Sequence, residues 1–290
     1  MQNLKLAIHC YQTQYQIATI DYLDQFRDTA VYLNRKRFEL STNKTMDSGD
    51  SDLFLLVSGE QVHGCFFLSK GGIFHFHSDA KLLNAEVCEE VFDIVAAQTN
   101  PIKALFGPWD ACDILHRQMI YNGIWQKFSY KSREVCFLLQ TLPSFPESTR
   151  SDSIKILRPE DLDSFMRLRG KYFDELGMVP WQSDFEIQHD YLQRSRQSGV
   201  WGFFKDQDLV ACNFLRPCGD SQFLIEGLFV DSEFRNQGIA KSLLMKQISW
   251  LKENDVDSVS LYTGSENHAA QNLFVDLGFV ATREFAVIIS

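Results

Sequence analysis

Residues 223–241, FLIEGLFVDSEFRNQGIAK, restrict the fold more than any other stretch of this chain. Apolar side chains alternate from Phe223 to Val230, the period-two pattern of a strand with a buried face. Asp231, Ser232 and Glu233 make a turn, and Arg235-Asn236-Gln237-Gly238-Ile239-Ala240 then enters an amphipathic segment of helical period. The first turn of a helix has free backbone N–H groups and the positive end of the macrodipole, so a chain entering it through small residues can wrap a phosphate closely. Gly238 and Ala240 keep side chains out of the way. Alone, the hexapeptide would mark only a helix that starts near a glycine, so its meaning depends on what surrounds it.

At 290 residues the chain has room for two domains of about 100 to 150 residues each. In the second half, Ile154 to Leu157 reads as a strand and Pro159 to Gly177 as a helix with Leu162, Phe165, Met166, Leu168 and Arg169 on its face. Phe185 to Ser195 is a second helix; Val200 to Phe204, Leu209 to Leu215 and Gln222 to Val230 are antiparallel strands. Ile239 to Glu253 is a helix with Ile239, Leu243, Leu244, Ile248 and Leu251 inward, followed by a strand (Ser258 to Thr263), a helix (Asn267 to Leu277) and a last strand (Val280 to Ile289). The first half runs nearly the same order. A strand (Leu4 to Cys10) and a helix (about Ile17 to Asn34) precede a polar loop from Lys44 to Asp52. Three meander strands follow: Leu53 to Val57, Val62 to Leu68 and Ile73 to His77. A helix (Ala80 to Gln98), a strand (Ile102 to Phe106), a helix (Asp110 to Asn122) and one or two strands within Trp125 to Leu139 complete it. Thr141 to Ser153, with two prolines, four serines and no periodicity, is the linker. The expected division is therefore 1–140, a linker 141–153, and 154–290, two mixed-sheet α/β domains of common element order.

A net charge of -10 speaks against nucleic acid as a partner, because phosphate binding needs concentrated Lys and Arg. It suits solubility and is compatible with a cationic acceptor. No run of about 18 apolar residues is present, and MQNLKLAIHCYQTQYQ lacks a signal-peptide pattern, so no membrane partner and a cytoplasmic location are expected. Seven scattered cysteines, never spaced as CxxC, fit reduced thiols better than a disulfide framework or a zinc site. His75 and His77 share a strand face with no third ligand nearby in sequence and read as histidines on a half-exposed sheet, so no metal is expected.

The pattern Arg235-x-x-Gly238-x-Ala240 resembles the pyrophosphate-binding loop of the GNAT superfamily of acyl-CoA-dependent N-acyltransferases. Asn267-His-Ala-Ala270-Gln-Asn-Leu273-Phe274-Val-Asp-Leu277-Gly278-Phe279 is similar to the family's Asn-x-x-Ala-x-x-Leu-Tyr-x-x-x-Gly-Phe helix. The resemblance covers nearly all of 154–290 and implies two tandem GNAT domains, with acetyl-CoA as acyl donor and an amine as acceptor. It implies that Leu228, Phe229 and Val230 lie on a strand splayed from its neighbour, where the pantetheine arm fills the gap and a backbone N–H polarises the thioester. The amides of Asn236, Gln237, Gly238, Ile239, Ala240 and Lys241 would hold the pyrophosphate beside Arg235, and Asn267 would bond the arm. Glu226 shares a strand face with Leu228 and Val230, and a carboxylate desolvated among Leu224, Leu228 and Phe229 suits a general base.

Phe274 stands where the family usually has a Tyr that protonates the departing thiolate. Tyr262 on the neighbouring strand is the stand-in to examine. Tyr172, Glu175 and Trp181, in KYFDELGMVPW, gather aromatic and acidic groups that suit a lid for a cationic amine and equally suit a helix end with buried aromatics. In the first half, Ser78-Asp79-Ala80-Lys81-Leu82-Leu83 replaces the glycine loop and adds a carboxylate, so that half looks GNAT-like without cofactor binding. Only eleven residues follow Phe279, room for one long strand where many members have two, so the first half is expected to cover the sheet edge left open. A non-catalytic acyl-CoA-binding or protein-interaction module is the other class these residues allow.

Overall fold

A computed structural model describes residues 5–42, 52–98, 101–125, 127–145, 151–177, 180, 182–219 and 221–290. The loop expected from Lys44 to Asp52 falls almost wholly outside them, as do residues 146–150 of the linker. Among the described residues no helix is long and apolar enough to cross a membrane.

The chain forms two compact units that do not follow the two halves of the sequence. The first comprises Met1–Cys136, Tyr262–Asn267 and Thr282–Ser290; the second comprises Phe137–Leu261 and His268–Ala281. The elements of the N-terminal half are β1 (Ala7–Cys10), α1 (Gln16–Asp24), α2 (Val31–Thr42), β2 (Phe54–Ser58), β3 (Gln61–Leu68), β4 (Ile73–Ser78), α3 (Ala85–Ala96), β5 (Ala104–Pro108), α4 (Trp109–Tyr121) and β6 (Tyr130–Leu139). Those that follow are β7 (Ile154–Ile156), α5 (Leu162–Leu176), α6 (Asp184–Ser195), β8 (Val200–Lys205), β9 (Asp208–Pro217), β10 (Gln222–Val230), α7 (Ile239–Glu253), β11 (Ser258–Gly264), α8 (His268–Asp276) and β12 (Val280–Ile289).

In the first unit the strand order is β1-β2-β3-β4-β5-β12-β6. The hairpins pair antiparallel, whereas β4 and β5 pair parallel because α3 crosses between them. The last strand of the chain thus lies inside this sheet, with Phe285 opposite Pro108 and Ile289 opposite Ala104. Its Ala286 and Ile288 join Phe66, Phe74, Phe76, Leu105 and the α3 residues Val87, Val91 and Val95 in one core. On the other face Leu55, Val57 and Phe67 pack with Tyr22, Leu23 and Leu33. The expectation of one long C-terminal strand holds, and β12 spends eight of its residues in the first unit, which is why the units cut across the halves.

The single helix expected near Ile17 to Asn34 is two helices. The chain turns at residues 25–30, where Asp28 and Thr29 are buried and bonded to Arg283 and to His77. Tertiary partners for polar side chains decide this break, and α2 carries no apolar stripe that would reveal it. His75 and His77 are buried, not half-exposed. Nδ1 of His77 lies 2.8 Å from the Tyr22 hydroxyl and Nε2 lies 3.0 Å from that of Thr29. Burial pushes the His77 pKa down to about 3, against the raising effect of Asp28 and with the lowering effect of Arg283. No group of three or more metal-ligating side chains occurs among the described residues. All seven cysteines are free thiols, six of them buried.

The second unit orders its strands β7-β8-β9-β10-β11, antiparallel except for the β10–β11 pair. Its core joins Phe165, Leu168 and Phe173 of α5 with Ile187 and Tyr191 of α6 and with Phe214 and Phe229 of the sheet. The inward stripe read for α7 is buried as expected: Ile239, Leu243, Leu244, Ile248 and Leu251. Asn213 of β9 and Gln247 of α7 are fully buried and exchange two amide hydrogen bonds of 2.7 and 2.9 Å.

Candidate active site

The residues assigned to the coenzyme from the sequence lie at the end of β10 and the start of α7. The parallel register with β11 runs from Gln222 opposite Ser258 to Ile225 opposite Leu261, and there it stops. β10 continues to Val230 along β9, with a register shift between Glu226 and Phe229, where Gly227 takes φ +59°. A bulge of this kind turns the strand and frees backbone groups. Leu228 and Val230 are half-buried and Phe229 is buried.

After the short turn at Ser232–Phe234, which the Asp231 carboxylate caps, the loop passes through Asn236 at φ +59° and Gly238 at φ +74°. Left-handed residues in a loop aim successive amides into one concavity, which suits an anion. α7 then starts with no side-chain cap, and the Ser242 amide bonds to Gly238 O at 3.0 Å. The amides of Ile239, Ala240 and Lys241 precede that bond, and a helix offers them no internal partner. A Cβ at Gly238 would meet nothing within 4 Å, so the approach is open. Gln237 accepts from Lys205 at 3.3 Å, and Lys241 reaches Asp276 at 3.5 Å.

Arg235, expected beside a phosphate, contacts the protein at both ends of its guanidinium. Its Nε donates to the Val230 carbonyl at 3.0 Å, its Nη2 to Glu175 at 2.6 Å, and its guanidinium lies 5.6 Å from the Phe229 ring. It therefore ties the end of β10 to α5. Glu175, expected at an acceptor lid, is the exposed partner in that ion pair. Tyr172 is half-buried against Phe229, with ring centroids 5.6 Å apart. Trp181 lies outside the described residues.

Glu226 is half-buried, but its surroundings are not the apolar ones the strand pattern suggests. Its Oε2 accepts from Arg216 Nε at 2.8 Å and from Arg194 Nη1 at 3.1 Å, and Arg194 also holds Asp190 at 2.7 Å. The physical reason is that β9 and α6 each turn an arginine towards the bulge, so the carboxylate lies between two guanidiniums. Arg169 of α5 completes the group. Its guanidinium lies 4.3, 4.5 and 5.8 Å from the rings of Tyr172, Phe173 and Phe214, and one of its nitrogens is 3.3 Å from the position a Cβ would take at Gly227. These three arginines were not identified as site residues from the sequence. The one signal was Arg169 itself, a charge in the middle of the apolar face of α5.

Tyr262 and Asn267 belong to the first compact unit. The Tyr262 hydroxyl bonds that of Tyr32, and its ring stacks on Phe285 at 5.0 Å. Asn267 donates to Thr263 Oγ1 at 3.1 Å. Phe274 is buried at 3% exposure and packs edge-on against Phe137.

The corresponding region of the first half differs on three counts. Asp79 caps Lys81, and Asn84 caps the start of α3 by accepting from Val87 at 2.9 Å, so side-chain oxygens already take amides at this end. The parallel register of β4 and β5 stops at His75 opposite Phe106, yet the next residue, Gly107, packs so closely that a Cβ there would lie 1.9 Å from the Phe76 carbonyl oxygen.

A family model described as the acetyltransferase (GNAT) family matches residues 162–279. No curated protein matches the chain. Among solved structures, an N-acetyltransferase of the GCN5-related kind from Sphaerobacter thermophilus is similar at 11% identity and TM-score 0.59, over 100% of this chain and 96% of that one. A tandem GNAT protein from the clavulanic acid biosynthesis pathway is similar at 12% identity and TM-score 0.57, over 99% and 98%. A GNAT-family acetyltransferase from Colwellia psychrerythraea is similar at 14% identity and TM-score 0.53, over 98% and 100%. At these identities the likeness is one of fold, and it spans both halves. Residues 162–279 thus match the GNAT acetyltransferase family model, and the full length shares its fold with a tandem GNAT protein.

Proposed function

We propose that this protein is an N-acetyltransferase that uses acetyl-CoA as donor and a primary amine of a small molecule or peptide as acceptor. The observation that carries the reading is the uncapped start of α7, entered through two left-handed residues, directly after a strand whose pairing with β11 has stopped at Ile225. The pyrophosphate lies on the amides of Asn236 to Lys241, and the pantetheine arm bonds the backbone of Leu228 to Val230 as an added strand. The amine lone pair attacks the thioester carbonyl carbon, a C–N bond forms, the C–S bond breaks and coenzyme A leaves as thiolate. The proton shed by the ammonium passes to Glu226, directly or through a water, and the thiolate takes a proton from solvent. Positioning supplies most of the acceleration.

The first half, in this reading, binds no coenzyme: its helix start is capped by Asn84 and its strand gap is narrowed at Gly107. One observation favours a non-catalytic acyl-CoA-binding module instead. Phe274 has no proton to give, and the Tyr262 hydroxyl is engaged with Tyr32. Thiol release from acetyl-CoA across a panel of amines and peptides separates the two: turnover supports the transferase, and tight binding without turnover across the panel supports the module.

A further inference from the structure

Arg169 makes no ion pair or hydrogen bond among the described residues, although it is half-buried and lies beside the bulge of β10. Lone arginines of this kind are uncommon away from water, because a guanidinium loses hydration that only an anion or several acceptors restore. Three aromatic rings surround it, with centroids 4.3, 4.5 and 5.8 Å from its Cζ, and aromatic rings do not satisfy N–H donors as an anion does. Phe214 is shared with Arg194, whose guanidinium is 4.8 Å from the same ring. Among the described residues, Arg169, Arg194 and Arg216 gather around Glu226 and Asp190 at the bulge.

The position also matters. Gly227 is adjacent to Glu226, and from Gly227 the strand runs three residues, about 10 Å at a strand's rise, before the turn that leads to the α7 amides. Arg169 therefore stands at the acyl end of a donor lying along β10, away from the pyrophosphate. Of the acidic residues at the end of α5, Glu175 is held by Arg235 and Asp174 is exposed.

We infer that the acceptor is an amine whose own molecule carries a carboxylate a few bonds from the nitrogen, as in an amino acid, and that Arg169 binds this carboxylate while the nitrogen faces Glu226. A planar carboxylate matches a guanidinium with two parallel hydrogen bonds. Gly227 has no side chain to stand between them. The inference rests on the transferase reading and deepens it by naming the acceptor class.

The test compares matched acceptors in a thiol-release assay on the full chain: glycine, alanine and glutamate, the α-amides of each, peptides beginning with Asp or Glu, and spermidine. Free amino acids are expected to exceed their amides at least tenfold in kcat/KM. Arg169→Met is expected to collapse that ratio to about one through KM, with acetyl-CoA affinity retained as evidence that the fold is intact. Arg167→Met, at an exposed arginine of the same helix, is expected to leave the ratio unaltered. Preference for the acidic peptides over the free amino acids, again lost in Arg169→Met, would keep the carboxylate and assign it to a side chain of the acceptor. Amides or spermidine used as well as the acids, or a ratio insensitive to Arg169→Met, would overturn the inference while leaving the transferase intact. Absence of release with every acceptor would overturn the transferase reading itself, and with it this one.

Discussion

Glu226 shows how neighbours from other elements change the surroundings of a side chain. On the strand alone it is a carboxylate among apolar residues; in the protein it is shared by Arg194 and Arg216. Glu226→Gln is expected to lower the amine-transfer rate at least tenfold with acetyl-CoA affinity nearly unaltered, measured by steady-state kinetics and calorimetry. A rate that does not fall would make the residue an anchor for the two arginines only. The His77 pKa, held at about 3 by burial, bears on stability. The unfolded chain takes up a proton at this residue below about pH 6.5 and the folded protein does not. Its contribution is therefore present in full above that pH and falls by about 1.4 kcal/mol per unit as the pH drops toward 3. Melting curves at pH 7.5 and 5 check this: the fall in Tm is expected to shrink in His77→Gln. Neither the arginines around Glu226 nor the burial of His77 was legible in the sequence, because each depends on side chains brought from other elements.

Elements with strong periodicity were legible almost to the residue. α7 begins at Ile239 and β12 spans Val280–Ile289, since a single apolar stripe or alternation fixes each. The start of α7 was readable for a further reason: Gly238 is required by its φ of +74°, and sequence shows a glycine directly. α2 was not legible, because Asn34, Arg35, Lys36 and Glu39 are buried on a helix with no apolar face to announce it. Between β4 and β5 the close contact at Gly107 leaves no space for a side chain, and the atom opposite is backbone, which cannot rotate away. Gly107→Ala is accordingly expected to cost on the order of 3 kcal/mol of stability, as overpacking against rigid neighbours does. Urea denaturation gives the value, and a change below about 0.5 kcal/mol, the usual range of a neutral surface substitution, would show that the strands separate at no cost.

At the scale of the whole molecule, the division of the chain was only partly legible. Two mixed-sheet domains follow from the repeated element order, but the sequence gives no sign that residues 282–290 belong with the first unit. Strand exchange leaves no local mark: β12 is a good strand wherever it pairs. A fragment of residues 151–290 would therefore carry Phe285, Ala286, Ile288 and Ile289, all buried in the full chain, without β5 to pair with. It is expected to aggregate or to melt well below the parent in a thermal scan, and a soluble monomer with the parent's Tm would count against the shared sheet.

The central claim, one coenzyme site per chain at the start of α7, is tested most directly by calorimetric titration of acetyl-CoA into the full-length protein and into Gly238→Glu. One molecule per chain is expected for the parent, with affinity weakened at least tenfold, about 1.4 kcal/mol, in the variant by bulk, a strained left-handed backbone and negative charge. Two equivalents per chain, or unchanged affinity in Gly238→Glu, would contradict it.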